Sequence, residues 1–448
     1  MANAPIRGKM NNSFDPHAAQ ELDSRTHSLI ERRTKLLGPA YRLFYNTPVE
    51  FVRGKGVKLW DSEGNEYLDA YNNVVSVGHA HPHVVEAVYK QMQTLGTHTR
   101  YLQEGILNYA EQLLATYGGE LSAQGHAMFT CTGTESNDLA MRIAQYFTGN
   151  KGIIVTSEAY HGNSHLVSSF SPSFGEYSPL GEHVRRVPAP DSYRIPLDRM
   201  GDYFAEQVQL QIEDLKKNGQ GLAAFVVDSL FSSDGIYAQP ADMMTKVAQV
   251  VRAAGGVFIA DEVQCGFGRG GDSLWGYQRY GLDPDIVTMG KPMGNGYPVA
   301  GLAVRHDIIE QFGNDVRYFN TFGGNTVAIA AAQATLDVIN NEDLVKNSHD
   351  VGAFLNKGLQ ELANRYDVIG DVRGSGLYYG VELVSDRNAK TPDAATTTAV
   401  VNGLRNRRVL ISTTGAAANT LKIRPPLVFS QENATQLLME LDTVLSAL

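Results

Sequence analysis

The chain has 448 residues, of which 43% are hydrophobic and 19% charged, with a formal net charge of −10; this is an ordinary globular balance, long enough for two domains and a large core. The negative balance and the absence of a Lys/Arg-rich run argue against a nucleic-acid partner, and no apolar stretch approaches membrane-spanning length, so no membrane partner is expected. Two cysteines, Cys131 and Cys265, are too few for a disulfide framework, and MANAPIRGKMNNSFDP carries no apolar signal core, so a reducing cytoplasm is expected.

Residues 1 to about 35 are polar, which predicts a loose arm or one draped over a partner subunit. From Phe51 to Ala70, FVRGKGVKLWDSEGNEYLDA alternates β-formers around Gly54-Lys55-Gly56 and Glu63-Gly64-Asn65, the pattern of a β-meander. His79, His81 and His83 follow in YNNVVSVGHAHP; no second ligand cluster accompanies them, so a structural turn is preferred over a metal site. VVEAVYKQMQTL then predicts a helix with Val84, Val85, Val88, Met92 and Leu95 on a packing face. In HAMFTCTGTESNDLAMRIAQYF, an apolar strand around Met128 and Phe129 passes through Thr132-Gly133-Thr134 into a helix beginning near Glu135. Unpaired N–H groups and the positive end of the dipole make such a turn a ready phosphate cup, although many capped helices read alike. A strand around Ile153 to Val155 leads to Tyr160-His161-Gly162, where a planar side chain suits stacking; the plainer alternative is a tyrosine at a loop tip. LAAFVVDSL supplies another strand, from Ala223 to Val227, closed by Asp228-Ser229.

The most informative stretch runs from Val257 to Lys291. Val257-Phe258-Ile259-Ala260 is a short apolar run ending at Asp261 and Glu262, and Ile286-Val287-Thr288-Met289 is a second, ending at Gly290 and Lys291. Buried parallel strands look like this, and ligands of open α/β sheets gather at the carboxyl ends of strands. The acid and the lysine are therefore placed to face one pocket. A lysine amine condenses with an aldehyde, and pyridoxal phosphate needs an anion at its ring nitrogen to keep the ring protonated. That contact is worth about 4 kcal/mol at ~4 Å with an effective dielectric of ~20, enough to decide the protonation state. The alternative is two surface charges that happen to end neighbouring strands. Beyond this pair, VAGLAV predicts a returning strand and YFNTFGGNTVAIAAAQATLDVI a small-residue turn entering a helix; from about residue 335, helix and strand alternate as far as LKIRPPLVFS.

These residues resemble the class III aminotransferases, members of the fold-type I pyridoxal-phosphate enzymes. Their pattern, an apolar strand followed by D-E-x-Q-x-G-x-G-R and D-x-x-x-x-G-K, is met by Asp261, Glu262, Gln264, Gly266, Gly268, Arg269, Asp285, Gly290 and Lys291. The likeness covers roughly residues 40 to 448, including a turn similar to the family's S-G-S/T-E-A-N and the run T-F-G-G-N. It implies an α/β fold: a large domain over 76–335 with a mostly parallel central sheet, and a small α+β domain from both termini, 1–75 and 336–448. It implies pyridoxal 5'-phosphate held by Gly133, Thr134, Tyr160, His161, Asp261, Gln264 and Lys291, with Thr321 contributed in trans across a homodimer or dimer of dimers. Lys291 and Asp261 are the implied catalytic residues; Tyr71, Lys422 and Arg424 are the candidate substrate residues. Two departures stand out. Asp228-Ser229 replaces the family's usual Glu-Pro and shortens the acid of a structural ion pair. Lys422 stands where amino-acid-specific members place an arginine that forks onto a carboxylate, and the two are not interchangeable.

The implied reaction is transfer of an amino group from a primary amine or amino acid to a keto acid or aldehyde. YNNVVSVGHAHP, TRYL, DIVTMGK-x-x-GNG and YFNTFGGN are most similar to the branch containing ethanolamine-phosphate phospho-lyase. Phosphate elimination from an amino-alkyl phosphate is therefore the alternative reaction. A catalytically silent cofactor-binding protein is the third reading.

Overall fold

The computed structural model describes residue 10, residues 12–15 and residues 22–448, so part of the polar N-terminal arm lies outside the described residues. Within the arm, Ser24–Leu37 is a helix capped by the Asp23 side chain and burying no residue of its own.

Seven strands form the central sheet, in the order His126–Thr130, Ala300–Val304, Ile286–Met289, Val257–Asp261, Leu222–Asp228, Gly152–Thr156, Val184–Val187. Only Ala300–Val304 runs antiparallel to its neighbours. The apolar runs form interior strands because both their faces are covered. Phe225, Val227, Phe258 and Ala260 enter one apolar core with the helices Leu197–Lys217 and Met243–Ala253. Ala224, Val226, Val257 and Ile259 alternate into the other, against the helix Gly133–Thr148. The register sets Asp228 opposite Asp261, and Asp261 opposite Thr288, so three strand ends open on one edge.

The smaller domain joins the two ends of the chain. The expected meander is Phe51–Lys55, Lys58–Asp61 and Glu66–Asp69, extended by the parallel strand Val409–Leu410. A second sheet, Ile369–Ser375, Tyr378–Asp386, Thr420–Ile423 and Ser412–Thr414, shares its core with Tyr67, Leu68, Leu359, Leu404 and Leu441.

The helix Pro82–Thr94 forms as expected, but its packing face does not. Only Val84 is buried; Val85, Met92 and Leu95 are 56%, 65% and 43% exposed. Successive residues stand about 100° apart on a helix, so Val84 and Val85 cannot share a narrow stripe. The helix Thr326–Asn341 packs against Pro82–Thr94 and Val84 turns inward; Val88 is half-buried, while Val85, Met92 and Leu95 face outward. His79, His81 and His83 reach three different carboxylates, Asp69, Glu342 and Asp337.

Candidate active site

Asp261 closes its strand with a buried carboxylate. One oxygen accepts His161 Nδ1–H at 2.6 Å and Asn137 Nδ2–H at 2.9 Å; the other accepts the Val263 N–H at 3.0 Å. A carboxylate has about four acceptor positions, so one remains toward the cavity that Asp261 lines with Gly133, Thr134, Tyr160, Gln264 and Lys291. Asn137 is fixed in turn: its oxygen accepts from Thr288 Oγ1 at 2.6 Å, and its amide also donates to the His161 carbonyl at 2.7 Å. Asn137 was not among the expected site residues, although it is the asparagine of the matched turn motif.

Lys291 lies across the cavity, partly buried. Burial first, then the charge of Arg424, lowers its ammonium below the ordinary lysine range, which favours a free amine. Its Nζ lies 6.0 Å from the centroid of the Tyr160 ring, which stands edge-on to Phe174.

The third wall is the start of the helix Gly133–Thr148. Thr132 caps it, its Oγ1 accepting the Glu135 N–H at 3.1 Å. The Glu135 carboxylate reaches back to the Cys131 N–H at 2.8 Å and also accepts from Asn320 at 3.0 Å. Glycine is required at position 133, where a Cβ would meet the Val263 side chain at 2.8 Å. The first-turn N–H groups lack helical partners and point out of the N-terminus, where an anion is favoured. Thr321 is exposed and does not line this cavity in its own protomer.

Lys422 and Arg424 are both buried and both approach Tyr378. Among the described residues neither is matched by a carboxylate: Lys422 Nζ donates to the Ser232 carbonyl at 2.9 Å, and Arg424 Nη1 donates to the Gln264 amide oxygen. Arg424 also lies 4.5 Å over the Tyr71 ring, and its Nε–H has no partner. Burial, and then the neighbouring Arg424 charge, push the Lys422 ammonium well below its ordinary range. An anion beside it would hold its proton in place. Gln264 spends its amide oxygen on Arg424 and Tyr378, leaving its NH₂ to face the cavity.

Asp228 lines the same cavity, but it makes no ion pair of the kind the longer acid would. Its Oδ1 accepts Cys265 Sγ–H at 2.7 Å and the Leu230 N–H at 2.9 Å. Ser229 donates to Glu262 at 2.5 Å, a hydrogen bond that proline could not make. Glu262 also accepts the N–H groups of Gly276 and Tyr277, while burial pushes its carboxyl up to about 7.

These residues fit pyridoxal phosphate: an acid with one free acceptor position, a lysine whose ammonium is held below its ordinary range, a glycine-walled helix N-terminus and a ring beside the amine. When bound, the cofactor supplies the electron sink that acidifies the substrate carbon carrying nitrogen.

Comparison with known proteins identifies the family. The Aminotransferase class-III family model matches residues 43–445. A Drosophila melanogaster protein named alanine–glyoxylate aminotransferase 2-like is 39% identical, covering 96% of this chain and 89% of its own. A Caenorhabditis elegans protein named ethanolamine-phosphate phospho-lyase homolog 1 is 37% identical, covering 97% of each. Among solved structures, an Arthrobacter phospholyase in complex with phosphoethanolamine superposes with a TM-score of 0.90 at 41% identity, covering 94% of this chain and all of that one. A Bacillus anthracis aminotransferase superposes with a TM-score of 0.87 at 29% identity, covering 95% of this chain and 100% of its own. The chain belongs to the class III aminotransferase family and is an enzyme that works with pyridoxal phosphate.

Proposed function

We propose that this enzyme eliminates phosphate from a short amino-alkyl phosphate such as ethanolamine phosphate. The observation that carries this reading is the pair Lys422 and Arg424, two buried basic side chains beside Lys291 with no carboxylate bonded to either among the described residues. Buried charges are costly unless paired, so the pair calls for a substrate anion. A phosphate group, with its charge and three terminal oxygens, suits two separate donors better than one forked arginine. The printed names of the phospho-lyase relative and the phosphoethanolamine complex support the same choice. Overall, ethanolamine phosphate and water would give acetaldehyde, ammonia and inorganic phosphate.

Each residue then has a stated task. Lys291 would hold the cofactor aldehyde and would move the proton at the substrate carbon next to nitrogen. Asp261, oriented by His161 and Asn137, would hold the ring nitrogen; Tyr160 would lie against the ring, and the Gln264 NH₂ would bond the ring oxygen. Gly133 and Thr134 would hold the cofactor phosphate, together with Thr321 of a neighbouring subunit. Lys422 and Arg424 grip the leaving phosphate, and Tyr71 shapes the wall beside Arg424.

A second reading, amino transfer from an amine donor to a carbonyl acceptor, is favoured by Arg424, whose free Nε–H would equally meet a donor carboxylate, and by the aminotransferase names among the relatives. Replacing Lys422 by Met separates the two. Elimination predicts that KM for ethanolamine phosphate rises roughly a hundredfold, while an unphosphorylated amine is affected much less, as expected when one partner of a buried charge contact is removed. An equal effect on both amines would remove the phosphate role of Lys422.

The assembly we propose is a homodimer. Val85, Tyr89, Met92 and Leu102 are 56%, 57%, 65% and 97% exposed on one protomer, an apolar set suited to burial by a second copy. A cytoplasmic location is supported by the free thiols of Cys131 and Cys265.

A further inference from the structure

Asp228 lines this cavity, and its carboxylate is held by two hydrogen bonds without an ion pair among the described residues. It feels Lys422 and Lys291 electrostatically, yet it bonds to neither of them. Its backbone is pinned. The Asp228 carbonyl accepts the Phe231 N–H at 3.0 Å; the next residue, Ser229, is held through its carbonyl by Tyr280 at 2.8 Å and through its hydroxyl by Glu262 at 2.5 Å. With the backbone fixed, only the side-chain rotamer decides whether the carboxylate meets Lys422. Two donors choose that rotamer, the Leu230 N–H and the Cys265 thiol, both on Oδ1. Cys265 is fully buried, and its sulfur also lies 3.9 Å from the Ser232 hydroxyl. Ser232 is the residue whose carbonyl takes Lys422. Thiol, carboxylate, serine and lysine thus form one contiguous cluster behind the cofactor cavity.

We propose that the Cys265 thiol is a positioning residue that holds Asp228 away from Lys422 and so keeps Lys422 available to the phosphate group of the substrate. The proposal rests on the reading of Lys422 and Arg424 as a phosphate grip. A thiol is a weak donor, but it is strengthened when its acceptor is a carboxylate in a dry site. Losing it leaves one of two anchors, and the released carboxylate would be free to turn toward Lys422, whose charge it already feels. Asp228 would then occupy Lys422 as an internal substitute for phosphate.

The test is calorimetric titration of inorganic phosphate into cofactor-loaded protein, in which the cofactor's own phosphate cup is already filled. Cys265→Ala is expected to bind phosphate about tenfold more weakly than wild type, a difference of about 1.4 kcal/mol. Cys265→Ser, which keeps a donor at the same place, is expected to bind within about threefold of wild type, a difference of roughly 0.6 kcal/mol. Cys265→Ala combined with Asp228→Asn should recover the affinity, because a neutral amide cannot neutralise Lys422. Asp228→Glu, which keeps the thiol in the chain but carries the carboxylate one methylene further, should weaken phosphate binding by extending the acid toward Lys422. Equal losses in the Ala and Ser variants would show that Cys265 matters only for packing and overturn the proposal. Unchanged affinity in Cys265→Ala or in Asp228→Glu would also overturn it. The underlying phosphate grip is judged separately by Lys422→Ala: if that variant binds phosphate as tightly as wild type, the grip itself is wrong.

Discussion

Asp261→Asn is the substitution that changes charge at the site with the least change of shape. In the wild type, one oxygen takes two donors, from His161 and Asn137, and the other takes the Val263 N–H. Asparagine keeps one oxygen. If that oxygen stays with His161 and Asn137, its NH₂ group meets the Val263 N–H, and one hydrogen bond is lost at a cost of about 1–3 kcal/mol. That is a modest loss from a fully packed strand, and the fold should survive it. The catalytic effect is larger, because the ring nitrogen loses its anion. About 4 kcal/mol of charge pairing at ~4 Å and an effective dielectric of ~20 corresponds to roughly a thousandfold in the chemical step. Single-turnover kinetics of the cofactor-loaded variant measures the step, and thermal unfolding of the same sample verifies the fold. Turnover within tenfold of wild type, in a folded sample that retains its cofactor, would refute the placement of Asp261 at the ring nitrogen.

The other residues give separate tests. Lys291→Ala should lose turnover altogether, and borohydride reduction of the wild type followed by mass spectrometry should place the cofactor adduct on Lys291; an adduct on Lys422 or another lysine would sink the assignment. Glu262, with its folded carboxyl raised from 4.5 to about 7, binds its proton more tightly folded than unfolded, so it lowers stability progressively as pH rises through that window, by about 3 kcal/mol in all. Glu262→Gln should remove that fall from the pH profile of unfolding free energy, and an unchanged profile would contradict the shift. Mixing Lys291→Ala with Thr321→Arg should restore activity after subunit exchange, since one site of the mixed dimer carries neither defect; confirmed exchange without activity would rule out Thr321 acting across the interface.

The strand ends were legible because a buried parallel strand has a plain signature, four or five apolar residues closed by a polar one. Asp261 and Lys291 could be placed on one edge from that alone, and the structure sets their strands side by side. The supports of Asp261 were less visible: His161 lies 100 positions away and Asn137 lies 124 away, so only the fold brings them to one oxygen. The same holds for Cys265, whose partner Asp228 is 37 positions earlier. The substitution of Asp-Ser for Glu-Pro was visible as a departure, but its consequence was not. It takes the structure to show that the shortened acid turns to a thiol while the serine braces Glu262. The outward apolar face of Pro82–Thr94 misled for a simple reason. Periodicity reports that a helix face is apolar, not whether the same chain or a second copy covers it.

The central claim is that the cationic pair beside Lys291 serves a leaving phosphate. Its most direct test is to supply the cofactor-loaded enzyme with ethanolamine phosphate alone, without any keto acid or aldehyde, and to follow inorganic phosphate and acetaldehyde together. The account predicts sustained release of both in equal amounts over many turnovers, independent of any amino acceptor. Release that stops after a single turnover, or that requires an added acceptor, would contradict it and leave amino transfer as the reaction.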